Sequence, residues 1–178
     1  MKRRLIGFAV ALALVISLAI PTFVYAVNPT VTITVTAQVV SITNNQANWA
    51  MGTITESSIL YFSADNLKDD NYSMITNTSN VAVDVEIQGT TIEGGAYDWT
   101  LAAAKGDQVY QLYANSTNSA GAYNIQVKSS SYLDLIANLP AASKYFWSAN
   151  FTAPTAFHPA DDGVQKSGTI TLVATKHT

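Results

Sequence analysis

The side chains best suited to moving protons or groups are few in this sequence. Only two histidines occur, His158 and His177. A hydroxyl nucleophile needs a base poised near neutral pH, and histidine is its usual source. His158 stands between Phe157 and Pro159 in a proline-bounded loop, and His177 is the penultimate residue. No G-x-S-x-G elbow accompanies them, and no H-x-H or H-x-x-x-H spacing offers a chelate for a metal. Cysteine is absent, which excludes thiol catalysis, iron–sulfur ligation and cysteine-type zinc sites. Paired carboxylates remain, because glycosidases need only two acids at a suitable separation. Asp84 and Glu86 lie two apart on an alternating stretch and share a side with Ala82 and Gln88, which reads as a solvated face. The sequence therefore predicts no catalytic residue and no enzyme.

Binding chemistry has more candidates. Asp65, Asp69 and Asp70, with Asn66 and Asn71, make an oxygen-rich loop, and Asp161-Asp162-Gly163 makes another. Calcium takes six to eight oxygen ligands, and such loops can supply several. Neither loop has the EF-hand spacing, so plain turn residues are the competing reading, and Ca2+ at Asp65, Asp69 and Asp70 is the single cofactor considered. Tyr97 and Trp99 share a strand face and can form a sugar-stacking platform for a surface glycan; burial of the indole in the core is the alternative. Four N-glycosylation sequons, at Asn71, Asn77, Asn115 and Asn150, match what a chain this rich in Asn, Ser and Thr carries by chance.

The elements that must position these groups are strands. Thr30–Gln38 reads T-V-T-I-T-V-T-A-Q, with Val31, Ile33 and Val35 on one side and threonines on the other. Val81, Val83, Val85 and Ile87 alternate with polar residues, and Asn77-Thr78-Ser79-Asn80 ahead of them supplies turn chemistry, so Tyr72–Gln88 reads as a hairpin. Tyr123–Lys128, Tyr145–Phe151 and Ile170–Ala174 alternate likewise. Weaker strands are Trp49–Ile54, Ser58–Phe62, Asp98–Ala102 and Gln108–Tyr113. Tyr132–Leu139 spaces Leu133, Ile136 and Ala137 like one helical turn, closed by Pro140. Short strands separated by frequent turn signals predict an all-β fold, an immunoglobulin-like antiparallel β-sandwich with a jelly roll as the alternative.

The amino end predicts export. Met1-Lys2-Arg3-Arg4 is followed by an apolar run from Leu5 to Ile20, Pro21, and Val24-Tyr25-Ala26, the three parts of a signal peptide cut after Ala26. That leaves residues 27–178 as a single domain. Leu5–Val27 is also long enough to span a bilayer uncut, which is the one membrane association considered. A prepilin-type cut at Gly7-Phe8 is the third reading, although Leu12 stands where such leaders carry Glu. Each of the three delivers the domain to the extracellular side. No apolar tail or sorting signal precedes Thr178, so a released or non-covalently held protein is expected. Past Ala26 there is no arginine, and six lysines face twelve acids. Such a domain has little with which to neutralise phosphates, so nucleic acid is excluded as a partner.

The stretch from Ile75 to Val85, I-T-N-T-S-N-V-A-V-D-V, resembles a hairpin of prokaryotic exported β-sandwich proteins, the camelysin-like fibre subunits and WxL-type surface proteins. The resemblance implies a structural or adhesive surface role and carries no site residues. Self-association then has a physical route. From Val27 to Gly52 the chain has no charge, so Thr30–Gln38 lacks the residues that blunt edge strands. Val31, Ile33 and Val35 can fill pockets at a neighbour's open sheet edge or dock on their own domain.

Overall fold

Where β-branched and aromatic residues alternate with polar ones, the chain forms strands. In the computed structural model, residues 37–62, 73–115 and 123–178 are described. The strands are β1 (Ile42–Asn44), β2 (Ile59–Phe62), β3 (Ser73–Asn77), β4 (Val83–Gly89), β5 (Thr100–Leu101), β6 (Val109–Asn115), β7 (Ile125–Gln126), β8 (Leu133–Leu139), β9 (Lys144–Thr152) and β10 (Ile170–Lys176). The fold is all-β, as expected, and the described helix is one 3-10 turn at Pro159–Asp161. Val31, Ile33, Val35, Asp65, Asp69 and Asp70 lie outside the described residues, as does the leader.

Two sheets enclose one core. The larger has seven strands in the order β1-β3-β9-β6-β5, with β2 also on β9 and β7 also on β6; the smaller is β10-β4-β8. Every pairing is antiparallel except β5 with β6. Phe62 pairs with Ala149 and Ser73 with Trp147, so β2 and β3 lie end to end along one side of β9. They are two halves of one strand line, parted in sequence by ten residues, 63–72. β6 takes the other side of β9, from Gln111 opposite Thr152 to Asn115 opposite Ser148.

The rows that alternation marks as apolar are the rows that face inward. Val83, Val85 and Ile87 from the smaller sheet meet Tyr110, Leu112, Ala114, Trp147, Ala149 and Phe151 from the larger. Phe151, almost fully buried, has Tyr110 at 5.3 Å and Trp49 edge-on at 6.3 Å between ring centroids. Trp49–Ile54 forms no strand; Trp49 instead caps the aromatic cluster, 5.2 Å from Phe62.

Two expectations need correction. Residues 72–88 are not a hairpin: β3 belongs to the larger sheet and β4 to the smaller, so the turn residues carry the chain across the core. Asn77 makes that crossing, fully buried, with its amide donating to the carbonyls of Val81 (3.0 Å), Leu139 (2.9 Å) and Pro140 (3.0 Å), while its Oδ1 accepts from Ser79 N–H at 2.8 Å. Tyr132–Leu139 is not helical but holds strand β8, whose register against β4 shifts twice between Val83 and Glu86. The shifts bury the neighbours Leu135 and Ile136 together, and that breaks the period of two.

Removing the Asn77 amide takes a donor from the part-buried carbonyl of Val81, from the buried carbonyl of Leu139 and from that of Pro140, which keeps the Ser143 N–H at 3.1 Å. Asn77→Ala is expected to destabilise the domain by about 3 kcal/mol, since each orphaned buried group costs roughly 1–3 kcal/mol. Urea unfolding measures it, and a loss below 1 kcal/mol would show that the crossing does not depend on this side chain.

Candidate functional site

Gly94 and Gly95 dictate the best-built polar site. Ile92 and Trp99 exchange backbone hydrogen bonds of 2.9 and 2.8 Å, closing a hairpin over the residues between them. Gly94 and Gly95 hold φ of +127° and +81°, a region open to glycine. The turn so made brings the N–H groups of Ala96 and Tyr97 onto the carboxylate of Asp161, at 2.7 and 3.2 Å. A Cβ on Gly95 would lie 2.3 Å from Asp161 Oδ1, so the approach needs glycine for space as well as for conformation.

Lys166 closes the site. Its Nζ is 3.0 Å from Asp161 Oδ2, donates to the carbonyls of Gly94 and Tyr97, and sits 5.5 Å above the Trp99 ring. Both side chains are removed from solvent, Lys166 to 6% and Asp161 to 1% of full exposure. Desolvation pushes the Asp161 carboxyl up, but the Ala96 N–H, the Lys166 ammonium and the Tyr97 N–H together outweigh it. The group is held below its ordinary 3.8. An ionised carboxylate that accepts from two backbone N–H groups and an ammonium is a clasp: it fastens the 92–99 hairpin to the segment entering β10. Glu93 and Ser167 reinforce it with paired backbone bonds of 2.8 Å each.

The two aromatic residues predicted as a sugar platform part company here. Trp99 is 6% exposed and stacks on Phe157 at 4.9 Å, so its indole is core. Tyr97 is 45% exposed and stacks on His158 at 3.7 Å. The His158 Nδ1 accepts from Ala160 N–H at 3.1 Å, capping the 3-10 turn. His177 is tied down rather than frayed: its N–H donates to the Ala82 carbonyl (3.0 Å) and its Nδ1 lies 2.8 Å from Asp84 Oδ1. Asp84 also accepts from Asn138 N–H at 2.8 Å, and that bond leads the influences holding its carboxyl below the usual value. Among the described residues no group of three or more His, Asp or Glu gathers as a metal site. Of the sequons, Asn77 and Asn115 are buried.

The clasp was invisible to sequence reading because Asp161 and Tyr97 are 64 residues apart. The one local signal is the Gly94-Gly95 pair, whose residue type marks a turn and does not name its partner.

A carboxyl whose folded pKa is lowered stabilises the fold above its unfolded pKa, and that stability is lost as pH falls through the folded pKa. Asp161 and Asp84 both act in this sense, so acid unfolding is expected to set in below about pH 4. Asp161→Asn should lower the urea midpoint at pH 7, with the gap to wild type narrowing by pH 3; a gap independent of pH would contradict the assignment. Gly95→Ala is expected to cost about 1–3 kcal/mol through its left-handed φ alone, with the clash against Asp161 adding to it, and the same unfolding curves measure it.

No family model matches the chain, and neither a curated protein nor a solved structure is significantly similar to it.

Proposed function

We propose that the chain is a non-enzymatic structural or adhesive protein of the cell exterior, a secreted or surface subunit that joins its neighbours through the amino-terminal strand. The observation that carries this is the edge of the smaller sheet. Among the described strands β10 has β4 on one side and nothing on the other, although Ile170, Leu172, Val173 and Ala174 are apolar and only partly buried. The His177 N–H points to β4, so by alternation the N–H and C=O groups of Ile170, Leu172, Ala174 and Lys176 point to the open side. A strand added there gains a full ladder, with alternate side chains covering the apolar row.

Chain direction supports donation from a neighbour. Val39 N–H donates to the Asn80 side chain (2.9 Å) and the Asn80 amide to the Ala37 carbonyl (2.8 Å), so the described chain enters beside the start of β4. That corner adjoins the carboxyl end of β10, where Lys176 pairs with Val83. A segment that ran along β10 directly into Ala37 would be parallel to β10. The same segment from another copy can run antiparallel, like every other pairing in this sheet. The sandwich itself is better read as the jelly roll than as the immunoglobulin-like form, because the steps β3 to β4, β4 to β5, β7 to β8, β8 to β9 and β9 to β10 each change sheet. Export rests on the leader, and the likeness to camelysin-like and WxL-type surface proteins rests on the sequence of Ile75–Val85 alone, since that stretch crosses between the sheets and is not a hairpin. A Tyr97–Trp99 glycan platform gains nothing from an indole in the core.

Two variants test the assembly. Deleting Val27–Thr36 removes the donor and keeps the Ala37–Ser41 anchorage; Ala174→Pro removes one outward N–H and no bond to β4. Each is expected to turn filaments seen by negative-stain microscopy into monomers, and a synthetic Val27–Gln38 peptide is expected to bind the deletion variant alone. A wild-type chain that stays monomeric at high concentration, with Val27–Thr36 resisting protease, would mean the strand docks at home.

A further inference from the structure

We infer that the outer face of the larger sheet is a binding site for a neutral polysaccharide. The face is defined by register. Tyr61 of β2 pairs with Asn150 of β9, Asn150 with Tyr113 of β6, and Tyr113 with Gln126 of β7. Residues paired across an antiparallel ladder project to the same side, so these four make one rung over four strands. Their sequence neighbours Phe62, Ala149, Phe151, Leu112 and Ala114 are buried, which fixes the rung as outward.

The composition of the face says what it can hold. The outward positions of β2, β6, β7 and the second half of β9 carry no charged residue. They present phenol rings, carboxamides and hydroxyls, which donate and accept hydrogen bonds without a net field, together with the aliphatic side chains of Ile59 and Val109 at the ends of β2 and β6. Tyr61 and Tyr113 stand two strand spacings apart, roughly 9–10 Å, with the Asn150 amide between them. Two rings flanking an amide at that span fit successive sugar rings, whose C–H faces stack on aromatics and whose hydroxyls bond to amides. A charged polymer finds no counter-charge there.

The rung is held in place before any ligand arrives. Tyr61, 45% exposed, is braced by the Tyr123 ring at 5.5 Å. Gln111, beside Tyr113 on the same face, donates through Nε2 to the Ala103 carbonyl, to which the Tyr113 hydroxyl also reaches at 3.5 Å. Tyrosine loses few rotamers on binding, and fixed partners reduce that loss further.

The inference is independent of filament assembly, which uses β10 in the other sheet. Its test is affinity electrophoresis of the full chain through gels holding a soluble β-glucan, a xylan or a mannan, with pull-down on cellulose and chitin. At least one polymer is expected to retain the protein, and added sodium chloride should leave retention unchanged. Tyr61→Ala and Tyr113→Ala should each weaken it about tenfold, the equivalent of one ring stack at roughly 1.4 kcal/mol. Asn150→Asp, which keeps the volume and adds a charge, should weaken it as well, and Tyr97→Ala should not. Urea midpoints confirm that each variant folds. Retention by none of the five polymers, retention kept in both tyrosine variants, or retention lost only in Tyr97→Ala would overturn the site. So would sedimentation showing that Tyr61→Ala merely splits a dimer, for the face would then be a contact between copies.

Discussion

The backbone of β9 is the constraint on which the remaining structure depends. From Lys144 to Thr152 its two edges are taken by β2, β3 and β6, and its inward side chains, Trp147, Ala149 and Phe151, form the floor of the core. A chain without disulfides must gain its stability from burial, and a strand used on both edges and one face concentrates that burial in nine residues. In the smaller sheet β4 holds the corresponding place, with β10 and β8 on its two edges and Val83, Val85 and Ile87 turned into the core. Among the described strands the smaller sheet ends at β10, with β4 on one side of it and no strand on the other. An open side on β10 is what the proposed strand donation requires.

Where packing follows local rules, the sequence was legible. The Val83, Val85, Ile87 row is buried as its alternation required, and β9 and β10 fall where Tyr145–Phe151 and Ile170–Ala174 alternate. Reading failed where geometry depends on residues far away. The Asn-Thr-Ser-Asn turn suits a hairpin and a sheet-to-sheet crossing equally well; what decides is the Asn77 amide reaching Leu139, 62 residues on. β8 imitates a helix because its irregular register against β4 replaces strict alternation with a spacing near three, and Asn138 at φ +53° adds to the irregularity.

The candidate sites show the same division. Tyr97 and Trp99 were rightly singled out as large aromatics, but exposure is not a local property, and the Phe157 ring decides it for Trp99. The tyrosine rung was not foreseen, because Tyr61, Tyr113 and Asn150 come from three separate strands and only their register brings them side by side. The Asp161–Lys166 clasp needed both its own short loop and a glycine pair from another part of the chain. In each case the residue types were visible and their partners were not.

The end-to-end arrangement of β2 and β3 has an engineering meaning. Only Ser148 separates the partners of Phe62 and Ser73 on β9, so the two half-strands already keep the line of a single continuous strand. The ten residues of sequence between β2 and β3 therefore join two points that already lie on one line of β9. Loop closure grows dearer only slowly with length. The junction is therefore the natural point at which to graft a foreign epitope or an affinity tag, and in a filament it would repeat the graft once per subunit.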